Sequence, residues 1–328
     1  MESAKGFKKF FNEKMVTLLV LLVIVVAAFT VLSKNGSYLH PANIRNIFSL
    51  MVVTSLLTLA VGCLMISGNI DLSTGANGTL CGILFALLLQ GGVAWPVALI
   101  ATLLIGMAIG AFNATLVNIV GFQPFIATMA VASVAKGLTY VANNAVAVPV
   151  KDPVITWIGT ERFFNNLLPV TLIIAIVAFV FYTVLMGATE FGRSVYLIGG
   201  NREAARLSGI HPVKISYILF INSGMLSALA GILLAARLKS GTVTGVVNMQ
   251  FSGMTAAMLG GVSFGGGSGG FGGVFIGMLI INGFNNGLTV LGVSSYWQTV
   301  ASGVLLLFAL TVDYLNMKRR GKRVSKRG

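Results

Sequence analysis

Charge is what this chain has least of. Aspartate and glutamate together supply 8 of its 328 residues, and all charged residues make up 9%, against roughly 25% in an ordinary soluble domain. That scarcity excludes a water-soluble globule and leaves a polytopic membrane protein, with 56% hydrophobic residues and 40 glycines. Cysteine is nearly absent as well. Cys63 and Cys81 both lie in apolar stretches, which excludes a disulfide framework or a CxxC site and leaves them as small core residues. The two histidines, His40 and His211, stand beside prolines far apart in sequence, so there is no metal-ligand spacing. No nucleophile–base set and no charged relay appears within the apolar runs, which argues against an intramembrane enzyme and a proton-coupled carrier.

What charge there is has a pattern. The net charge is +14; four lysines lie between Lys5 and Lys14, and seven Lys/Arg lie between Lys318 and Arg327. These clusters flank apolar runs and lack interleaved aromatics, so they read as topology anchors on anionic headgroups rather than as a nucleic-acid surface. The N-terminal apolar run has no small-residue cleavage site after it and reads as an uncleaved first helix.

Apolar runs long enough to span, about 20 residues each, predict ten transmembrane segments: 15–32, 46–66, 73–90, 95–117, 123–142, 167–187, 214–235, 251–263, 272–291 and 296–315. The eighth is short and runs into glycines. The fold class is therefore all-α polytopic, one domain over residues 1–328. Basic termini on the cytoplasmic side need an even number of spans. That places 188–213 and 264–271 inside, with Arg193, Arg202, Arg206 and Lys214, and puts Trp95, Trp157 and Trp297 at the outer interface. The outer loop 143–166 reads equally as a partner-docking surface or as a solvated loop.

FNATLVNIVG, from Phe112, and FNNGLTVLG, from Phe284, align with a one-residue gap and are each followed by a further span. Five spans separate them, so the copies point opposite ways, as in transport proteins with a pathway at the repeat interface. The repeat halves run over about 43–142 and 214–315. Small-xxx-small pairs at Gly78/Gly82, Gly106/Gly110, Gly273/Gly277 and Gly283/Gly287 predict close helix packing. Residues 260–273, GGVSFGGGSGGFGG, cannot hold a continuous helix and read as a broken or re-entrant segment; without a preceding strand the GxGxxG spacing is no nucleotide loop.

Two polar stretches stand out. In 66–75, ISGNIDLSTG, Asp71 sits between apolar runs, where a carboxylate costs about 2.5–3.5 kcal/mol on insertion scales. Asp71 or Ser73 either caps the next helix or takes a direct part in transport. Amides recur at Asn69, Asn113, Asn282, Asn285 and Gln298, with Phe125 and Phe264 near them in sequence. Amides suit sugar hydroxyls and aromatics suit pyranose faces, while interhelical hydrogen bonding accounts for any single amide. These residues are the candidate substrate pathway. The second stretch, 192–212, reads as a short capped helix: Asn201 at the N-cap, Glu203 in the first turn, Gly209 at C′ and Pro212 beyond. Arg202 and Arg206 share a face and want an anionic partner. Ala204, Ala205, Leu207 and Ile210, with Ser208, complete a small docking element.

Taken together, ISGNIDLSTG, QPFIATMAVASVAKGL, GNREAARLSGI and GGVSFGGGSGGFGG followed by NGLTVLGVSSYWQ resemble the membrane permease of ribose/xylose/galactose-type ABC sugar importers, from about Asn43 to Asp313. The resemblance implies a permease dimer in the bacterial cytoplasmic membrane, made with a second copy or a close homologue, and an extracytoplasmic sugar-binding protein. It also implies ATP-binding subunits that hold the ATP and Mg, so that this chain binds no cofactor. The stretch matching Asn201–Ile210 would be the helix that docks on the ATPase, which makes 188–213 the coupling loop. Two departures bear on cargo: MQFSGMTAAMLGGVS carries no carboxylate before the glycines, and Asn69 stands where the family has glycine. The same architecture also suits a nucleoside, an inositol-like solute or a branched-chain amino acid, and a stand-alone secondary carrier is the other class.

Overall fold

A computed structural model describes residues 13–164 and 168–325. The N-terminal lysines before Glu13, the end of the basic tail and residue 167 of the sixth predicted span lie outside the described residues. The elements in order are α1 (Glu13–Leu32), a 3-10 turn (Lys34–Leu39), α2 (Pro41–Ile66), α3 (Thr74–Gln90), α4 (Trp95–Thr115) ending in a π turn (Leu116–Val120), α5 (Pro124–Ala142), β1 (Val148–Pro149), α6 (Pro153–Thr160), β2 (Arg162–Phe163), β3 (Leu168–Pro169), α7 (Val170–Ala188), α8 (Glu190–Gly200), α9 (Arg202–Leu207), α10 (Pro212–Leu238), β4 (Ser240–Gly241), α11 (Met249–Leu259), α12 (Phe271–Val290) and α13 (Ser295–Ser325). Among the described residues the strands form two short antiparallel pairs, β1 with β4 and β2 with β3.

Among the described residues, eight helices are long and apolar enough to cross a bilayer. Two of the ten predicted spans are shorter. α3 has 17 residues, about 25 Å, and α11 has 11, about 16 Å. α11 reaches only part of the way because the chain from Lys239 to Asn248 stays out of helix: both of those residues have positive φ, and glycines surround them. The eighth predicted span is thus a half-length helix that follows an irregular stretch and gives way to the glycines from Gly260.

α2 and α10 form the axis of the bundle, buried over 83% and 72% of their most apolar stretch, against 6% for α13. α2 is apolar on all sides, as a central helix must be. Most of its hydroxyls turn back onto their own helix, Thr58 donating to the Thr54 carbonyl at 2.6 Å and Ser49 to that of Arg45 at 2.8 Å, which satisfies these two without a neighbour. α10 packs along α4, α3 and α2, and the glycine pairs set how closely. A Cβ at Gly106 would lie 2.6 Å from the Gly224 carbonyl oxygen, and one at Gly110 would lie 2.2 Å from that of Phe220. Those pairs are packing devices. Among the described residues, Cys63 and Cys81 are buried free thiols, as the composition predicts.

Candidate functional site

Two irregular segments and one short helix meet at a single end of the bundle. The first segment, residues 67–73, breaks the chain between α2 and α3. The second, residues 260–270, links α11 to α12. They touch directly, the Gly267 N–H donating to the Ile66 carbonyl at 2.8 Å. The last turn of α8 lies against both. A Cβ on Gly199 would sit 1.9 Å from the Ile66 oxygen and 2.5 Å from the Gly267 nitrogen, and the Tyr196 hydroxyl donates to the Gly269 carbonyl at 3.0 Å. α9 begins three residues after Gly199.

Around residues 67–73 the predicted polar residues form a compact cluster. The Asp71 carboxylate, 1% exposed, accepts from the Ser73 N–H at 2.8 Å and hydroxyl at 2.6 Å, from the Ser223 hydroxyl of α10 at 2.9 Å, and from the Asn113 amide of α4 at 3.4 Å. Asn113 also donates to the Ser73 hydroxyl at 2.8 Å, and the Leu72 N–H donates to Thr128 of α5 at 3.1 Å. Asn69 bonds locally to Ser67 at 3.0 Å. A buried carboxylate needs this many donors, because an unpaired one costs several kcal/mol. Asp71 makes an Asx-type turn ahead of α3 and joins that turn to α4 and α10. Ser73 occupies the N-cap position but makes no side-chain capping bond.

The other predicted pathway residues do not join this cluster. Asn282 is buried against α2 and accepts from Thr54 at 3.1 Å. Asn285 accepts from Ser302 of α13 at 3.3 Å, and Gln298 donates to the Val293 carbonyl at 2.8 Å toward the far end. Phe125 and Phe264 are exposed, at the start of α5 and in the glycine segment. The glycine segment has its own carboxylate anchor: Asp313 of α13 accepts from the Phe264 N–H at 2.9 Å and the Ser263 hydroxyl at 3.2 Å. Sequence reasoning missed Ser223, one of three serines in α10, which carries no signal until Asp71 is placed. It also missed Asp313, although that residue is one of only eight acids.

α9 has the predicted helix and caps. The Asn201 side chain accepts from the Ala204 N–H at 2.9 Å. Gly209 has φ +84°, and the Gly209 and Ile210 N–H groups donate to the Arg206 and Ala205 carbonyls at 3.1 Å each, a complete Schellman end. The helix spans Arg202–Leu207, one residue short of the predicted Ser208. Its cations have partners within the chain. Arg206 pairs with Glu203 at 2.6 Å, and Arg202 donates to Asn118 of the π turn at 3.2 Å. The Glu203 carboxylate holds the Arg206 guanidinium above its already high ordinary value. Ala205 is buried, while Ala204 is exposed and Leu207 is 79% exposed, so the helix presents an apolar tip between ion-paired flanks. α8 was read as loop; Thr189, whose hydroxyl accepts from the Gly192 N–H at 3.2 Å, is the N-cap that marks it.

A family profile described as branched-chain amino acid transport system / permease component matches residues 43–310. The ribose import permease protein of Bacillus subtilis is 37% identical over 302 residues, covering 90% of each chain. The D-allose transport system permease protein of Escherichia coli is 34% identical over 306 residues, covering 91% of each. The xylose transport system permease protein of Haemophilus influenzae is 30% identical, covering 94% of this chain and 98% of its own. Matched over most of its length by that profile and by full-length transport permeases, the chain belongs to the branched-chain amino acid transport system / permease component family, the membrane subunits that the motifs resemble.

Proposed function

We propose that this chain forms the transmembrane pathway for a monosaccharide in an ABC importer, and that a partner ATPase docks on α9. The observation that supports the cargo most is the agreement of the relatives, permeases named for ribose, xylose and allose and each matched over about nine-tenths of its length. That outweighs the family's general description, which names branched-chain amino acids. The lack of a charged relay in the apolar runs suits a neutral solute.

For docking, the support is local. A six-residue helix capped at both ends, with Leu207 bare at its tip, is rigid enough to transmit force. It leads directly into α10 on the bundle axis. In this reading ATP and Mg reside on the partner, a binding protein delivers the sugar at the opposite end, and a second copy faces the exposed sides of α5 and α13. The halves 43–142 and 214–315 act as inverted repeats, with an interruption after each long axial helix. Both termini lie in the cytoplasm of the bacterial cell.

The test is reconstitution with the cognate ATPase and binding protein. Radiolabelled ribose, xylose and allose uptake should depend on ATP. Arg206→Glu and Leu207→Asp should leave the permease folded while cutting ATPase co-purification and uptake at least about tenfold, the loss expected when an interface anchor is removed. Uptake without ATP, or full co-purification with both variants, rejects the proposal.

A further inference from the structure

The end of the bundle opposite α9 carries a feature that the transport reading does not use. Between α2, α7 and α12 lies an apolar cavity of about 320 Å³, lined by Phe48, Met51, Leu172, Phe179 and Met278 among others. It runs from Leu168, in β3 at the outer strand pair, along α7 to Phe179. The helical part alone is about 14 Å, roughly the reach of a lipid chain from the interface toward the bilayer centre. Its open side is marked by Ile176, which is 45% exposed. The lining offers Ser55 as its one hydroxyl, and Ser55 already donates to its own helix at the Val52 carbonyl at 2.8 Å. A sugar would find no partner there.

Three arginines gather at the mouth. Arg237, at the end of α10, donates to the Ser49 carbonyl at 3.0 Å, one residue from Phe48. Arg45 stands one turn further out on α2, its carbonyl accepting from Ser49. Arg162 lies in β2, whose partner strand supplies Leu168. It follows Gly159 by three residues, and a Cβ on that glycine would lie 2.6 Å from the Arg237 backbone nitrogen. All three are half-buried. The ion pairs among the described residues are Arg193 with Glu190 and Arg206 with Glu203, both at the other end. Neighbouring Glu161 lends Val170 only its backbone carbonyl. Half-buried like charges that have no ion pair to an acid among the described residues repel one another, and an anion between them removes that cost.

The structure assigns this place to an anionic phospholipid, with one acyl chain in the α2–α7–α12 groove and the phosphate held by Arg162 and Arg237. The apolar length and the cationic mouth are the two halves of an amphiphile, and neither alone asks for one. Phe179 at the inner limit packs edge-on against Phe271 and Phe275 at the start of α12. The bound chain therefore braces the helix that leaves the glycine segment.

The test uses the full-length protein in detergent with added lipid, and it does not depend on cargo or on an ATPase. Native mass spectrometry should retain phosphatidylglycerol over phosphatidylcholine, and phosphatidylglycerol should raise the unfolding temperature where phosphatidylcholine does not. In the double variant R162Q/R237Q the preference should fall about fivefold for each arginine. Ile176→Trp, which plugs the open side without entering the core, should abolish retention while leaving the arginines in place. Equal retention of both lipids, or a preference that survives either variant, overturns the assignment. So does an equal shift with soluble glycerol phosphate, which would mark a free-anion site. Should a variant elute as aggregate, competition of the two lipids for the wild-type protein decides the question by the same criterion.

Discussion

Both irregular segments at the α9 end are organised around a carboxylate, and they differ in where that carboxylate comes from. Residues 67–73 carry their own. Asp71 is buried, and its donors come from its own turn, from α4 and from α10. Residues 260–270 contain no acid and borrow Asp313 from α13, the least buried of the long helices. The first arrangement is part of the core, so its loss is a loss of fold. The second ties a flexible glycine stretch to a peripheral helix, so its loss is a loss of order at one end.

The variant that breaks this comparison most strongly is Asp71→Ala. It strands the donors on Ser73, Ser223 and Asn113 in a dry core and should cost about 3–5 kcal/mol, read as a fall in thermal unfolding temperature in detergent; a shift under a few degrees would mean that water reaches the cluster. Gly199→Ala comes next. Its methyl must displace the Ile66 carbonyl or the Gly267 amide, at about 1–3 kcal/mol, and proteolysis should then cut faster in residues 260–270. Ser223→Ala removes one donor to a charged acceptor and should cost about 1.5–3 kcal/mol; the further effect of adding it to Asp71→Ala should be close to zero, since the two act as one unit. Asp313→Asn should cost the least, about 0.5–1.5 kcal/mol, because an amide oxygen still accepts from Phe264. Its mark should be faster hydrogen exchange confined to residues 260–270. A core-sized loss of stability from Asp313→Asn would erase the distinction.

Legibility followed the range over which each feature is determined. The caps of α9 were readable residue by residue, because Asn201 and Gly209 act within four positions of their partners. The long helices were readable because twenty apolar residues have few other fates. α11 was taken for a span because apolar content says nothing of where helix begins; the irregular run through Asn248 decided that, and it rests on α3 through the Thr79 hydroxyl, which accepts from the Val246 N–H at 2.9 Å. α6 and α8 were passed over as loop although Asp152 and Thr189 are ordinary N-caps. The Asp71 cluster was half legible: Asp71, Ser73 and Asn113 were singled out, but Ser223 is 152 residues from the carboxylate that it serves. The remaining amides shared a residue type rather than a place, and the bundle keeps Asn285 and Gln298 well apart from Asp71.

The contact at Gly199 has a mechanical meaning. Where side chains mediate packing, a small displacement is absorbed by rotamers, as a soft gasket takes up play between two plates. Here peptide meets peptide with no side chain between them, and the hydrogen bond from Gly267 to Ile66 closes the third side. Such a joint has almost no backlash. A push on the chain leading into Asn201 therefore bears directly on both breaks in the bundle, and a single added methyl would wedge apart the close backbone contact of Ile66, Gly199 and Gly267.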